Sequence, residues 1–175
     1  MPDTSPCTSE IAIRAMKDYG DAILRMSFSY LHNIADAEDI LQDTLLSLMK
    51  TTPTFSDAEH EKAWLLRVAI NLCKNRLKSS WFKRVEILDD YPDEKMTDSM
   101  SANESILLEI VKRLPVKYRE VIHLFYYESY STAEIAGLLH KNESTVRSLL
   151  HRAREKLKED LKGDDDFDEQ IHLCI

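Results

Sequence analysis

STAEIAGLLHKNESTVRSLLHRAREKL, residues 131–157, is the stretch that decides what kind of fold this chain has. Ser131-Thr132-Ala133-Glu134 has the form of a capping box, with Ser131 at the N-cap and Glu134 reaching back to it. It predicts a short helix over about 132–139, burying Ile135, Ala136, Leu138 and Leu139. His140-Lys141-Asn142 then makes a turn, and Asn142 is suited to cap a second helix. That second helix, about 143–161, turns Val146, Leu149, Leu150, Ala153 and Leu157 inward. Arg147, Ser148, His151, Arg152 and Arg154 are left mainly on its other faces. A short helix, a three-residue turn and a longer helix with bases near its start form a helix-turn-helix pattern, whose second helix enters the major groove of DNA.

Working outward, Leu114-Pro115 marks one helix ending and another beginning, because proline is tolerated in a first turn and not deeper. Helices over about 104–114 and 116–128 are expected on either side of that break. Residues 85–104, VEILDDYPDEKMTDSMSANE, are rich in Asp, Ser and Met with little periodicity, which reads as a linker. Elsewhere apolar residues recur at three- and four-residue spacing, and no stretch alternates as a strand does. The expected fold is therefore all-α: two small helical domains joined by a flexible acidic linker, the second containing the helix-turn-helix. The expected boundaries are 10–84, linker 85–104, 105–162, and an acidic tail 163–175.

In the N-terminal domain a first helix is expected over about Ser9–Leu31, burying Ile13, Met16, Ile23, Leu24, Phe28 and Leu31. A second, about Asp36–Lys50, has Ile40, Leu41, Thr44, Leu45 and Leu48 as its apolar stripe, with Asp36, Asp39 and Asp43 on an opposite edge. That edge is either a solvated face or a docking surface for a basic partner. On the third, about Glu61–Phe82, Arg67, Asn71, Lys74, Asn75 and Lys78 fall within about 100° of one another, opposite Leu65, Leu66, Ala69, Leu72 and Cys73. Arg76 lies outside that sector. Cations neutralise phosphates and asparagine amides can bond base edges, so the stripe suits nucleic acid. Phe55, Trp64, Trp81 and Phe82 flank it, as rings able to stack on unpaired bases or to anchor a core.

Charge segregates along these boundaries. The 175 residues carry a formal net charge of −8, yet 62–84 hold seven bases and no acid. Residues 85–104 hold seven acids and one base, and 163–175 hold five acids and no base. Two basic islands in an acidic chain point to polyanion contact at discrete places. Gly20, Gly137 and Gly163 lie too far apart for a dinucleotide fingerprint or a phosphate loop. Cys7, Cys73 and Cys174 form neither a disulfide framework nor a C-x-x-C site. Met1–Ala15 lacks the apolar core of a signal peptide, and no apolar run approaches the roughly 18 residues of a membrane span. The expectation is a cytoplasmic protein that is not itself a membrane protein.

DAEDILQDTLLSLMK (36–50), KAWLLRVAINLCKNRLK (62–78), LPVKYREVIHLFYYESYSTAEIAGLL (114–139) and ESTVRSLLHRAREKL (143–157) together resemble successive regions of the two-domain extracytoplasmic-function sigma factors of the sigma-70 family. The resemblance implies a protein that binds core RNA polymerase and directs it to promoter DNA, with no catalysis of its own and no cofactor or metal. It places Asp39, Gln42 and Asp43 on the clamp helices of the largest polymerase subunit. Phe55, Arg67, Asn71, Lys74, Asn75 and Lys78 go to the −10 element, with Phe55 near a flipped base. Arg147, Ser148, His151 and Arg152 read the −35 element, while Lys117, Arg119, Ser131 and Arg154 meet phosphates. Such proteins are commonly held inactive by an anti-sigma factor, often membrane-bound. Asn75 stands where the family commonly has Asp, Lys78 where it commonly has Arg, and His140 at the usual turn glycine. The −10 preference therefore does not transfer from the family.

Two other readings compete. Glu120-x-x-His123 and Glu169-x-x-His172 repeat the spacing of di-iron bundles, but such a site needs two further inward glutamates. A helix-turn-helix regulator that never joins polymerase accounts for 131–157 and leaves the acidic edge and the 62–84 island unused.

Overall fold

The computed structural model describes residues 6–84, 111 and 113–161. The described residues fall into two compact units, one within Met1–Lys95 and one within Met96–Ile175. Every element among them is helical. The expected linker 85–104, tail 163–175 and most of the helix expected over 104–114 lie outside the described residues.

The first unit is three mutually packed helices: α1 (Pro6–Leu31), α2 (Ile34–Thr51) and α3 (Ala58–Arg84). His32 and Asn33 separate α1 from α2, and the Asn33 side chain caps α2 by accepting from the Asp36 N–H at 2.9 Å. The core is Ile23, Met26 and Phe28 from α1, Ala37, Ile40, Thr44 and Leu48 from α2, and Leu65, Leu66, Ala69, Ile70 and Cys73 from α3. Burying each large side chain is worth about 1.5–3 kcal/mol, and truncating Phe28 to alanine costs about 3–5 kcal/mol. Thr44 fits this core because its hydroxyl donates back to the Ile40 carbonyl at 2.7 Å. Burial pushes the Cys73 thiol up to about 12, which leaves it an inert packing group.

Two expected core residues are on the surface: Ile13 is 69% and Met16 56% exposed. The apolar residues within 11–16 of α1 spread over about 200° of the helix, wider than one buried face, so periodicity could not choose among them. Ala15 makes the choice, being wholly buried, and Ile13 sits two residues, about 200°, away from it. α3 begins three residues earlier than its apolar stripe suggested. Asp57 caps it, accepting from the His60 N–H at 2.7 Å, and that bond with the Ser56 hydroxyl holds the Asp57 carboxylate below its ordinary range.

In the second unit, Pro115 precedes α4 (Val116–Ile122), which runs on through a π-helical turn, His123–Tyr127, then α5 (Thr132–Leu139) and α6 (Glu143–Leu161). α6 packs on both α4 and α5, burying Val146, Leu150, Ala153 and Leu157 against a core that includes Val121, Leu124, Ile135 and Leu138. α5 and α6 have the expected limits. The capping box is complete: Glu134 N–H reaches Ser131 Oγ at 3.3 Å, and Ser131 N–H reaches Glu134 Oε2 at 2.8 Å. His140 takes the left-handed conformation, φ 52° and ψ 46°, that the turn requires. The π turn is what sequence did not foresee, since one wider turn leaves the apolar spacing almost unchanged.

Candidate functional site

On α2, Asp39, Gln42 and Asp43 are exposed, and Leu46, 47% exposed, continues their edge. These positions stand at i, i+3, i+4 and i+7, which is one helical face. Asp36 joins that edge only in part, because it is half-buried against α3. Arg76 Nη2 donates to Asp36 Oδ1 at 2.6 Å and to Asp39 Oδ2 at 3.1 Å. Burial works against the charge on Arg76, but the carboxylates of Asp39 and Asp36 outweigh it and hold the guanidinium more firmly protonated than usual. Arg76, the cation that fell outside the polar sector of α3, thus braces the acidic helix.

Along α3, Asn71, Asn75 and Lys78 are exposed, while Lys74 and Arg67 are partly covered. Asn71, Lys74, Asn75 and Lys78 again stand at i, i+3, i+4 and i+7, so the structure brings this expected stripe together on one face. The side chains of Trp81 and Phe82 lie outside the described residues. Phe55, in the loop before α3, packs edge-on against Trp64 with centroids 5.8 Å apart, and against His60 at 5.6 Å. It remains partly open to solvent.

The orientation of α3 depends on a group that sequence reasoning passed over. Glu61, 5% exposed, receives both Arg14 nitrogens, Nη2 to Oε1 at 2.6 Å and Nη1 to Oε2 at 3.0 Å, plus the Tyr19 hydroxyl at 3.4 Å. The hydrogen bond to Glu61 raises the Arg14 pKa above its ordinary value despite partial burial. Nothing local marks Glu61, since its partners come from α1, more than forty residues away.

In the second unit, Arg147, Ser148, His151 and Arg152 are all exposed, and their spacing along α6 puts them in one sector. Arg147 Nη2 donates to Glu143 Oε1 at 2.6 Å. The Ser148 hydroxyl donates to the Ser144 carbonyl at 2.9 Å. His151 Nε2 lies 3.4 Å from Glu155 Oε1. Arg154 is only partly exposed: its Nε donates to the Tyr126 hydroxyl at 2.7 Å, and its guanidinium stacks over Phe125 and Tyr126. Lys117 is exposed, with its ammonium 5.0 Å from the Tyr118 ring centroid. Ser131 is exposed but its hydroxyl serves the capping box, where its bonds hold the Glu134 carboxylate below the ordinary range.

Arg119 departs from expectation. It is 7% exposed, inside the core of the second unit and not on the surface where a phosphate contact was expected. α4 is buried nearly all round from Tyr118 to Leu124, so a cation on it lacks a solvent face to occupy. Glu120 and His123 are also buried there. Glu120 lies 3.9 Å from Lys141, and His123 stacks on Tyr127 and faces Glu128 at 3.5 Å. Among the described residues no three His, Cys, Asp or Glu side chains converge to hold a metal ion, and Glu169 and His172 lie outside them. No described helix is long and apolar enough to cross a membrane.

Residues 15–83 match the family described as Sigma-70 region 2, and residues 104–157 match Sigma-70, region 4. Among curated proteins, the chain is 32% identical over 152 residues to the RNA polymerase sigma-E factor of Streptomyces avermitilis, covering 83% of this chain and 82% of that one. It is also 32% identical over 153 residues to the ECF RNA polymerase sigma factor SigL of Mycobacterium tuberculosis, covering 83% and 86%. Its fold is similar to the Bartonella quintana sigma factor RpoE solved with the anti-sigma factor NepR, at TM-score 0.70 and 22% identity, covering 86% of this chain and 96% of that one. It is likewise similar to CnrH solved with the cytosolic domain of CnrY, at TM-score 0.65 and 22% identity, covering 90% and 91%.

Proposed function

The chain belongs to the sigma-70 family and is an RNA polymerase sigma factor of the extracytoplasmic-function type; on that premise we propose how its residues divide the work. Asp39, Gln42 and Asp43 dock on the clamp helices of the largest subunit of core polymerase, offering carboxylates and an amide on one exposed edge. Asn71, Lys74, Asn75 and Lys78, with Arg67 behind them, meet the −10 element. There the cations take phosphates, the amides take base edges, and Phe55 stacks beside an unpaired base. Arg147, Ser148, His151 and Arg152 read the −35 element in the major groove. Lys117, Ser131 and Arg154 sit closer to the backbone, and Arg119 has no part in contact.

Two observations of the same kind support this division as one: each matched region carries its own exposed polar stripe, on α3 in the first unit and on α6 in the second. A regulator working without polymerase would use only the second, so that reading is not favoured. The protein acts by binding in the cytoplasm and not by catalysis. The RpoE structure named above is a sigma factor captured with an anti-sigma factor, and we extend that class of partner to this chain.

Reconstitution tests the reading. Purified chain added to core polymerase is expected to give transcription from a defined set of promoters selected from a random library, with both elements enriched. Asp39→Ala with Asp43→Ala is expected to abolish that activity by removing core binding, seen as loss of co-elution. Promoter binding by the chain alone, with no gain on adding core polymerase, would overturn it.

A further inference from the structure

One carboxylate links the two helices of the helix-turn-helix to a base-reading side chain. The Thr132 hydroxyl, in the first turn of α5, donates to Glu143 Oε1 at 2.7 Å. Arg147 Nη2 donates to that same oxygen at 2.6 Å. Glu143 is the first residue of α6, and Arg147 lies one turn further along it. The side chain of Arg147 is 69% exposed, that of Glu143 39%. An arginine so exposed samples many rotamers unless its head is held, whereas reading a guanine edge demands a fixed, planar, two-pronged approach. The Thr132 hydroxyl first, and Arg147 second, hold the Glu143 carboxylate below its ordinary range, so it is charged whenever DNA is bound near neutral pH.

We propose that Glu143 is a positioning residue for −35 readout: braced by Thr132, it orients the Arg147 guanidinium toward the base edge and does not itself touch DNA. The inference rests on α6 being the reading helix. Exposed ion pairs contribute little to folding, so removing this one acts on the aim of Arg147 and leaves the unit folded. Bare electrostatics predicts something different. Deleting a negative charge beside DNA strengthens phosphate attraction equally for every sequence.

The test uses full-length chain in holoenzyme and a set of promoters carrying every single-base change in the −35 element. Wild type, Glu143→Gln, Thr132→Val, Arg147→Ala and the Glu143→Gln/Arg147→Ala double variant are compared by competition binding and transcript yield, with unfolding midpoints measured in parallel. Glu143→Gln is expected to lower the preference for the favoured base at the position read by Arg147 about threefold, with its midpoint unchanged. Thr132→Val shows a smaller loss at that position. In the Arg147→Ala background, Glu143→Gln adds no further loss of preference. A uniform change across all promoters, or an unaltered preference, overturns the proposal. So does an equal loss in the Arg147→Ala background, which would mean that Glu143 acts on DNA directly. Absence of any −35 preference in the wild-type holoenzyme would instead remove the recognition-helix reading beneath it.

Discussion

Single residues in this protein divide into those whose partners are near in sequence and those whose partners are far. Ser131 and Glu134 find each other three positions apart, and Glu143 finds Arg147 four apart, so spacing alone exposes the pairs. Glu61 is the opposite case. It looks like an acid at the edge of a basic helix, yet it is the buried anchor of Arg14 and Tyr19. Glu61→Ala is expected to cost the first unit about 1–2 kcal/mol, the range of charge-assisted hydrogen bonds discounted for the exposed Arg14. Both tryptophans of the sequence, Trp64 and Trp81, belong to the first unit's segment, so their fluorescence during urea unfolding isolates that transition. An unshifted midpoint would mean that the contact contributes nothing. Arg119 and Arg76 carry the same lesson for basic groups. Sequence counts them as cations, and only packing shows one enclosed in a core and the other spent on α2.

At the scale of elements, limits were legible wherever chemistry punctuates the chain. Pro115, the capping box and the turn at His140 delimit α4, α5 and α6 as spacing predicted. Three helices are each followed directly by a non-glycine residue at positive φ: His32 after α1, φ 55°, Thr52 after α2, φ 39° and ψ 55°, and His140 after α5, φ 52° and ψ 46°. That conformation costs an ordinary residue roughly 1–2 kcal/mol, most for a β-branched one. Thr52→Gly is therefore expected to stabilise the first unit by about 1 kcal/mol, after the entropy glycine gains in the unfolded chain. His140→Gly is expected to stabilise the second unit by about half as much, both measured by urea midpoints. A loss of stability at Thr52 would show that its side chain does more there than terminate a helix. The π turn and the exposed apolar start of α1 were not legible. One keeps the same residue types at nearly the same spacing, and the other spreads its apolar residues over more than one buried face.

For the whole molecule, the net charge of −8 opposes DNA binding while the basic residues are concentrated on the segments proposed to meet DNA. Phosphate attraction scales with the local count of neutralised phosphates, and repulsion from the rest is screened beyond about 8 Å at physiological salt. The free chain is accordingly expected to bind promoter DNA at least about 100-fold more weakly than the holoenzyme at that salt, as fluorescence anisotropy would read it. Equal affinities would mean that the isolated chain already holds both stripes in register. The sequence by itself determined the helical class, the two-part division, the helix-turn-helix and which residue types line α3 and α6, because these are set by local spacing, capping and charge. Only the tertiary structure decided which of those residues are available. Burial and ion pairing are settled by partners distant in the chain, as Arg14 is to Glu61, Arg76 to Asp39, and the core around α4 to Arg119.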